Sequence, residues 1–225
     1  DLRKKIFIVA FLLVCFRVLT AVPLPNIDVL RLKEFFGSNQ LFGFLSMFSG
    51  GGLENLSIAM LGVAPYITAT IIMQLLTMIF PHLKEIYYEE GAAGRAKFNR
   101  YSRYLTVPLA FLQAYGFLNI LRSKAVIPQS GLFDIVIDVL LVTAGTMIVV
   151  WLGELISEQK IGNGISLIIF AGIVSGLPTI IYNAVISYDP SQLLTYVIFA
   201  AVAVVVIAGV VFIQEGERKI PIVYA

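Results

Sequence analysis

Residues 41–80 read LFGFLSMFSGGGLENLSIAMLGVAPYITATIIMQLLTMIF, and this stretch decides the fold. At about 1.5 Å per residue in a helix, it is long enough to cross a bilayer twice. Three consecutive glycines at positions 50–52 and then Pro65 interrupt it. Because every backbone N–H and C=O group must be satisfied in lipid, a helix break at membrane depth survives only where protein covers it or where it lines a water-filled cavity. The stretch therefore predicts a cavity inside a membrane protein.

The composition of the chain is that of an integral membrane protein. Hydrophobic residues make up 59% of the 225 residues and charged residues only 13%, with a mean hydropathy of +0.91. Cys15 is the single cysteine and lies in an apolar run, which excludes a disulfide framework. His82 is the single histidine, so no cluster of His and Cys is available for a metal. We expect no metal, no cofactor and no enzymatic activity, because the sequence offers no convincing pair of nucleophile and base.

Apolar runs at six places predict six membrane-spanning helices. The first follows the basic start LRKK at positions 2–5, and we expect it to remain uncleaved because no small-residue cleavage motif follows it. A polar loop at 26–40 and the longest hydrophilic loop, at 81–102, connect the early elements. We expect Pro178 to kink the fifth span. The predicted spans are 6–22, 65–80, 104–121, 135–152, 165–186 and 193–213.

The residues before Pro65 differ from a membrane span. Ser46, Ser49 and Glu54 make this part too polar to face lipid, so we predict a short helix that enters the protein without crossing it. The glycines at 50–52 have two interpretations: they let helices approach closely, or they form a hinge on which the short helix swings. The polar residues on both sides favour the hinge.

The distribution of basic residues predicts the orientation, because cytoplasmic loops carry the excess of Lys and Arg. With the N-terminus inside, the cytoplasmic segments hold eleven of the 16 basic residues and the outer loops hold four. Arg17 lies within the first span and completes the total. Both termini are therefore predicted to be cytoplasmic.

Several polar residues have ordinary structural interpretations. Arg17 is long enough to snorkel to the headgroups, and an interhelical hydrogen bond is the other ordinary interpretation. We expect Asp138 to lie close enough to the interface to reach water, and Glu154 and Glu158 to form a solvated helix end. The GNG sequence at 162–164 has no strand before it and no Lys-Ser/Thr after it, so it predicts a flexible turn and not a phosphate-binding loop.

Two pairs of β-branched residues follow the helix breaks at a spacing of one helical turn. Val63 and Ile67 form one pair, and Ile165 and Ile169 form the other. Such pairs are able to line a hydrophobic constriction, although an apolar chain contains them by chance. From the residues alone, a channel and a secondary transporter with a broken-helix substrate site both remain open. A transporter needs convergent polar groups near the midplane, whereas a polypeptide channel needs an apolar ring.

Longer motifs occur along the chain. They are MFSGGG at 47–52, APYITATIIMQLLT at 64–77, GTMIVVWLGELISEQKIGNGISLIIFAGIVSGLP at 145–178 and ERKIPIVYA at 217–225. These motifs resemble one family, the SecY channel subunits of the bacterial protein translocon, and the resemblance runs from the LRKK start to the last residue. Members of this family have ten spans in two pseudo-symmetric halves around a pore.

The resemblance implies an all-α, polytopic membrane helix bundle with a broken second helix, the first half of a SecY-type channel. Residues 1–186 would form the first five-helix half, with a plug segment at about 42–54. Residues 187–225 would supply the sixth span and the start of the cytoplasmic loop between spans six and seven. The implied function is secretion of unfolded polypeptides across the cytoplasmic membrane and lateral insertion of membrane segments.

Functional positions carry over from the family by residue. The plug would include Phe42, Leu45, Met47, Phe48, Ser49, Gly50, Gly51 and Gly52. The pore ring would receive Val63, Ile67, Ile165 and Ile169, and Val63 departs from the isoleucine common in the family. The lateral gate would use Thr68, Ile71 and Gln74. Because Ile165 starts its apolar run, this ring requires a deep cytoplasmic funnel.

The resemblance also implies partners. These would be the small subunits SecE and SecG, the ATPase SecA or a ribosome on the cytoplasmic face, signal sequences and secretory polypeptides, membrane lipids, and the C-terminal half of the same channel. The cytoplasmic contact residues would be Arg95, Lys97, Arg100, Arg218 and Lys219. An external energy source is expected, since the sequence contains no nucleotide-binding motif.

Overall fold

The computed structural model describes residues 2–25, 29–38, 42–43, 45–46, 49–124, 126–127, 131–186 and 193–216. These residues are mainly helical, and the β-type contact among them is an isolated antiparallel bridge between Pro23 and Ser57. The chain divides into two compact units, Asp1–Pro178 and Thr179–Ala225. The all-α fold class predicted from the sequence is confirmed.

The helices of the described residues are numbered here in chain order. Pro178 lies inside the seventh helix and does not end it. The helices are α1 (Leu2–Ala21), α2 (Val29–Ser38), α3 (Ala64–Ile79), α4 (Pro81–Tyr88), α5 (Gly91–Ser123), α6 (Leu132–Glu158), α7 (Gly164–Ile186) and α8 (Leu193–Gln214).

A helix stands at each of the six predicted spans. Among the described residues, α5, α6, α7 and α8 are long and apolar enough to cross a membrane, and α3 with α4 would add a fifth span if the bent pair counts as one. α1 is not among these helices, because every 18-residue stretch of it contains at least three charged residues. These residues are Arg3, Lys4 and Lys5 at its start and Arg17 near its end. The chain is a multi-pass membrane protein, and crossing by α1 stays a prediction.

The prediction of a hydrophilic loop at 81–102 is wrong, because these residues are mostly helical. Phe80 takes an extended conformation, with φ −105° and ψ 109°, as the residue before a proline prefers. α4 then leaves α3 at an angle of 114°. Gly91, with φ +62°, is the first residue of the long helix α5. Polarity suggested a loop, but the Ala, Lys, Arg and Glu residues of this region are also good helix formers.

Two clusters of buried apolar side chains form the core of the first unit, and residues 49–63 contribute to both. The backbone forms a series of turns over these residues, and we call them the break segment. One cluster packs the break segment against α5 and α6, and its members include Leu53, Leu56, Met60, Ala114, Leu118, Leu121, Val139 and Val142. The other cluster packs α1, α6 and α7 around the break segment, through Val9, Leu12, Phe16, Ala59, Val63, Val149, Leu152, Ile156 and Ile168.

A glycine on α6 permits the close approach of the break segment. A Cβ atom at Gly145 would collide with the carbonyl oxygen of Ile58 and would lie 2.6 Å from the carbonyl carbon. Both of these are backbone atoms, which are not free to rotate away as a flexible side chain would be. α6 therefore touches the break segment backbone to backbone at this point.

Substituting Gly145→Ala is expected to destabilise the protein by about 1–3 kcal/mol, because the added methyl group overpacks the contact with Ile58. The matched control is Gly116→Ala on α5, where a Cβ atom meets nothing within 4 Å. This control should be neutral or stabilising by up to about 1 kcal/mol, since Ala is the better helix former. Thermal unfolding of the purified proteins in detergent measures both. Equal midpoints for the two variants would contradict the close approach at Gly145.

Candidate functional site

The break segment satisfies its own backbone through two serine hydroxyls. Ser46 Oγ accepts a hydrogen bond from the N–H of Glu54 at 3.2 Å, and Ser49 Oγ accepts one from the N–H of Leu53 at 3.0 Å. The Ser49 hydroxyl also donates to the carbonyl oxygen of Ser46 at 3.0 Å. Both serines are buried. The polar residues that set this stretch apart in the sequence thus replace the missing helical hydrogen bonds.

The triglycine turn fits a confined space. Gly50 and Gly51 have φ values of +66° and +79°, which side chains other than glycine rarely adopt. A Cβ atom at Gly50 would lie 3.2 Å from both the ring of Phe16 on α1 and the Cα of Gly172 on α7. The glycines therefore serve close approach as well as turn geometry, and their role as a hinge stays a prediction.

A pair of backbone hydrogen bonds attaches the break segment to the residues that follow α1. The N–H of Leu24 donates to the carbonyl oxygen of Leu56 at 2.9 Å, and the N–H of Ile58 donates to that of Val22 at 3.0 Å. The middle of the break segment is thus fixed to the residues just after the first helix.

Arg17 makes a specific polar contact in addition to any snorkelling. Its guanidinium Nη1 donates to the carbonyl oxygen of Gly50, in the triglycine turn. Of the two interpretations of Arg17, this contact agrees with the hydrogen bond. The acceptor, however, lies in the triglycine turn and not in another helix.

The plug candidates occupy two environments. Phe42 belongs to an aromatic cluster with Phe35 and Phe36 of α2 and Phe117 of α5, at ring-centroid distances of 5.2, 6.2 and 5.9 Å. Leu45 and Ser49 instead line a cavity. Met47 and Phe48 lie outside the described residues.

Three of the four ring candidates meet at this cavity, which has a volume of about 350 Å³. Val63, Ile67 and Ile169 line it together with Leu45 and Ser49. Val63 is buried, whereas Ile67 at the start of α3 is 38% exposed. Its walls are apolar, and the break segment forms one side of it.

A second cavity, of about 830 Å³, has a polar lining. Of the ring candidates, Ile67 and Ile169 line both cavities, and Ile165 lines this second one. The four ring candidates are thus distributed over the two cavities, and two of them belong to both. The charged residues of the polar cavity are Arg100, Arg103, Glu154 and Glu158.

The prediction that Glu154 is simply solvated is wrong. Its Oε1 pairs with Nη2 of Arg103 at 2.6 Å, and its side chain is only 23% exposed. Glu158, one turn further on, is exposed as expected. The pair joins α5 to α6 at the wall of the polar cavity.

The prediction that Asp138 reaches water is also wrong. Its Oδ2 accepts from Nη2 of Arg122 at 3.2 Å, and the two side chains are 10% and 9% exposed. Sequence reasoning missed this pair although the signal was present: a charged residue at the edge of an apolar helix requires a partner, and Arg122 stands near the end of the preceding helix. Within the described part of the chain, no three His, Cys, Asp or Glu side chains group to hold a metal.

Two side chains accept hydrogen bonds at the turn at 162–164, and its flexibility stays a prediction. Ser157 Oγ accepts from the N–H of Gly164 at 2.8 Å, and Asn163 Oδ1 accepts from the N–H of Ser166 at 3.2 Å. The second bond is a side-chain cap on the first turn of α7. This turn fixes the start of the helix that carries Ile165 and Ile169.

The gate candidates lie on α3 away from its buried face. That face consists of Pro65, Ala69, Met73 and Thr77. Ile71 is 52% exposed, and Gln74 lines the polar cavity. Thr68 is half-buried, and its hydroxyl donates to the carbonyl oxygen of Ala64 within the same helix at 3.0 Å.

The candidate partner contacts that are described lie on the first turns of α5. Arg95 and Arg100 are exposed, whereas Lys97, also exposed, pairs with Glu90 at 2.7 Å. Arg218 and Lys219 lie outside the described residues.

Known proteins resemble this chain in sequence and in fold. A family model described as SecY matches residues 57–225. Proteins named protein translocase subunit SecY are 40% identical in Corynebacterium glutamicum and 43% identical in Vibrio cholerae, over all of this chain and 53% and 52% of those proteins. The chain spans about half the length of these curated relatives.

A solved structure shares the fold. Sec61, in the canine ribosome-channel complex from the endoplasmic reticulum, aligns with a TM-score of 0.63 at 20% identity, over 96% of this chain and 49% of that one. The family model covers the break segment from Ser57 onward and every helix from α3 to α8. The chain belongs to the SecY family.

Proposed function

We propose that this chain forms the first half of a protein-conducting channel for secretion across, and lateral insertion into, the bacterial cytoplasmic membrane. The observation that carries the proposal is the position of Ile67 and Ile169, which line both an apolar cavity beside the break segment and a polar cavity. Apolar side chains at the boundary between two spaces are the arrangement that a hydrophobic seal requires.

The seal acts by dewetting. A narrow passage with apolar walls holds water poorly, so ions lose their hydration when they enter it. Val63, Ile67, Ile165 and Ile169 supply one side of this ring. The plug, residues 42–54, adds a second barrier when no polypeptide is present.

The same chemistry permits transport of many different sequences. An apolar ring offers no hydrogen-bonding or charged group that would hold a passing peptide, so an unfolded chain slides through. Ser49 is the polar side chain among the described residues that line the apolar cavity. Since the channel supplies no energy, the driving force comes from a partner.

The polar cavity is the cytoplasmic entrance in this proposal. Ile165 and Ile169 lie close to the start of α7, which is near the cytoplasmic surface in the predicted orientation. A water-filled funnel of about 830 Å³ that reaches these residues allows them to belong to a ring deep in the channel. Arg100 and Arg103, near the predicted cytoplasmic end of α5, line the same cavity. Both termini are cytoplasmic in this orientation, as the excess of Lys and Arg on that side predicts.

The partner on this side is SecA or a translating ribosome. Arg95, Lys97 and Arg100 offer exposed basic side chains on the first turns of α5, and Arg218 and Lys219 would add to them. The Sec61 structure with the same fold comes from a ribosome-channel complex, which supports a ribosome as one such partner. SecE, SecG and the second half of the channel complete the pore.

The exposed face of α3 forms one side of the lateral gate. Thr68, Ile71 and Gln74 present both apolar and polar groups there. A signal sequence that enters between this face and the opposing half would leave the pore for the lipid.

A secondary transporter is the alternative that broken helices allow. Such a protein needs polar groups that converge on the broken helix, but Leu45, Leu53, Met60, Val63, Ile67 and Ile169 dominate the cavity beside the break segment. This lining supports the channel.

Deleting residues 42–54 from a complete channel that contains this sequence should increase resting ion leak, because the second barrier is removed. Translocation of a secretory protein should continue, since the apolar ring remains. Conductance of the purified channel in lipid vesicles and import of a secretory substrate measure the two properties. A leak equal to that of the unaltered channel would refute a sealing plug.

Replacing Ile67 or Ile169 by Asn should admit ions and weaken discrimination between functional and defective signal sequences. A polar side chain stabilises water in the ring, and the barrier to ions falls. The matched controls are Ile67→Val and Ile169→Val, which keep the wall apolar and should conduct nearly as little as the parent. If Asn and Val variants behave alike in conductance and signal-sequence selection, the ring lies elsewhere.

A further inference from the structure

We propose that Arg17 is a positioning residue that holds the plug closed through its hydrogen bond to Gly50. The inference rests on the proposed function and deepens it, since it names the contact from the first helix that must break before residues 42–54 move aside. The acceptor is a backbone carbonyl of the triglycine turn, and the donor is a permanent positive charge.

A cation at this place needs a reason. Arg17 stands among apolar residues on a helix otherwise suited to a membrane, where a charged side chain is costly. Its neighbour Phe16 is 2% exposed and packs in the core, whereas Arg17 itself is exposed. No carboxylate among the described residues pairs with it. Gly50 is therefore the group to which this charge is directed.

The contact lies at the end of the segment that would move. On the C-terminal side of the turn, Leu56 and Ile58 are hydrogen-bonded to Leu24 and Val22, and the side chain of Leu56 is fully buried. Those contacts anchor the rest of the break segment. Gly50 precedes them, so a bond from α1 to its carbonyl oxygen restrains the plug without belonging to the fixed core.

Geometry makes the contact specific for the closed position. Gly50 lies where a Cβ atom would approach both the ring of Phe16 on α1 and the Cα of Gly172 on α7 to 3.2 Å, so the turn is packed closely between these two helices. Movement of the turn out of this packed position takes the carbonyl oxygen of Gly50 away from the guanidinium of Arg17.

The position of Arg17 near the end of α1 makes the bond reversible. When a buried ion loses its partner, the unpaired charge remains in a low-dielectric environment and opening is strongly opposed. Near a helix end the long side chain of Arg17 is able to snorkel to the headgroups, so release of Gly50 costs one hydrogen bond to a charged donor. A bond of this kind is strong enough to bias the closed state and weak enough to break during gating.

The test is a double-mutant cycle in a complete channel containing this sequence, reconstituted in lipid vesicles. The four proteins are the parent, Arg17→Ala, the deletion of 42–54, and both changes together. Arg17→Ala should raise resting ion leak about tenfold, the effect of losing a hydrogen bond from a charged donor. In the deletion background, which lacks Gly50, the same substitution should add no leak.

Three further variants, Arg17→Lys, Val18→Ala and Arg17→Gln, separate gating from damage to α1. Arg17→Lys keeps a charged donor and should restore most of the seal. Val18→Ala alters the adjacent exposed side chain, which is 59% exposed, and should leave the leak unchanged. Thermal unfolding shows whether Arg17→Ala folds. If it does not, the leak of Arg17→Lys is compared with the leaks of the parent and of Arg17→Gln. A leak of Arg17→Lys close to that of the parent and below that of Arg17→Gln supports the inference, and equal leaks of the two variants refute it.

The outcomes distinguish this inference from the proposed function. If the deletion leaks but Arg17→Ala does not, the plug stands and the role of Arg17 is refuted. If Arg17→Ala adds the same factor to the deletion, Arg17 acts elsewhere and the inference is likewise refuted. If the deletion itself does not leak, the sealing plug fails, and the role proposed for Arg17 fails with it.

Discussion

The whole arrangement depends on keeping non-helical backbone satisfied at membrane depth. An amide group left without a partner in an apolar medium costs roughly 2–7 kcal/mol, so the break segment exists only because its groups are paired. Ser46 and Ser49 supply hydroxyls, Val22 and Leu24 supply backbone partners, and Arg17 supplies a guanidinium. With these contacts made, the break segment is packed on several sides by the helices α1, α5, α6 and α7.

These contacts also divide the segment into a firm part and a loosely held part. Leu56 and Met60, which follow the plug, are buried in a cluster with α5 and α6. The described part of residues 42–54 contributes Leu53 to the same cluster and is otherwise held by hydrogen bonds and by the ring contacts of Phe42. Segments that move in function are drawn from regions with few buried apolar contacts, and the order of contacts here matches that rule. The cavity beside this part is where a movable barrier is useful.

The sequence was sufficient for the helical class, the broken second span and the start of α3 to within one residue of Pro65, because membrane hydropathy and Pro65 act locally. It was insufficient for residues 81–102, where polar composition fits a loop and a solvated helix equally well. Asp138 and Glu154 were misjudged for a different reason: their partners Arg122 and Arg103 lie on a neighbouring helix, and the register between two helices is not a local property. The resemblance to the family supplied roles for Val63, Ile67 and Ile169, and the structure adds that they share a cavity.

The bridge between Pro23 and Ser57 forms early in the chain but depends on contacts from later residues. It closes a loop of about 30 residues, which is entropically unfavourable until other contacts reward it. Those contacts come from Leu118 and Val139, which are made much later on the ribosome. A nascent chain that ends before α6 therefore lacks part of the surface on which the break segment packs. The break segment acquires its full set of packing partners only after α7 has been made.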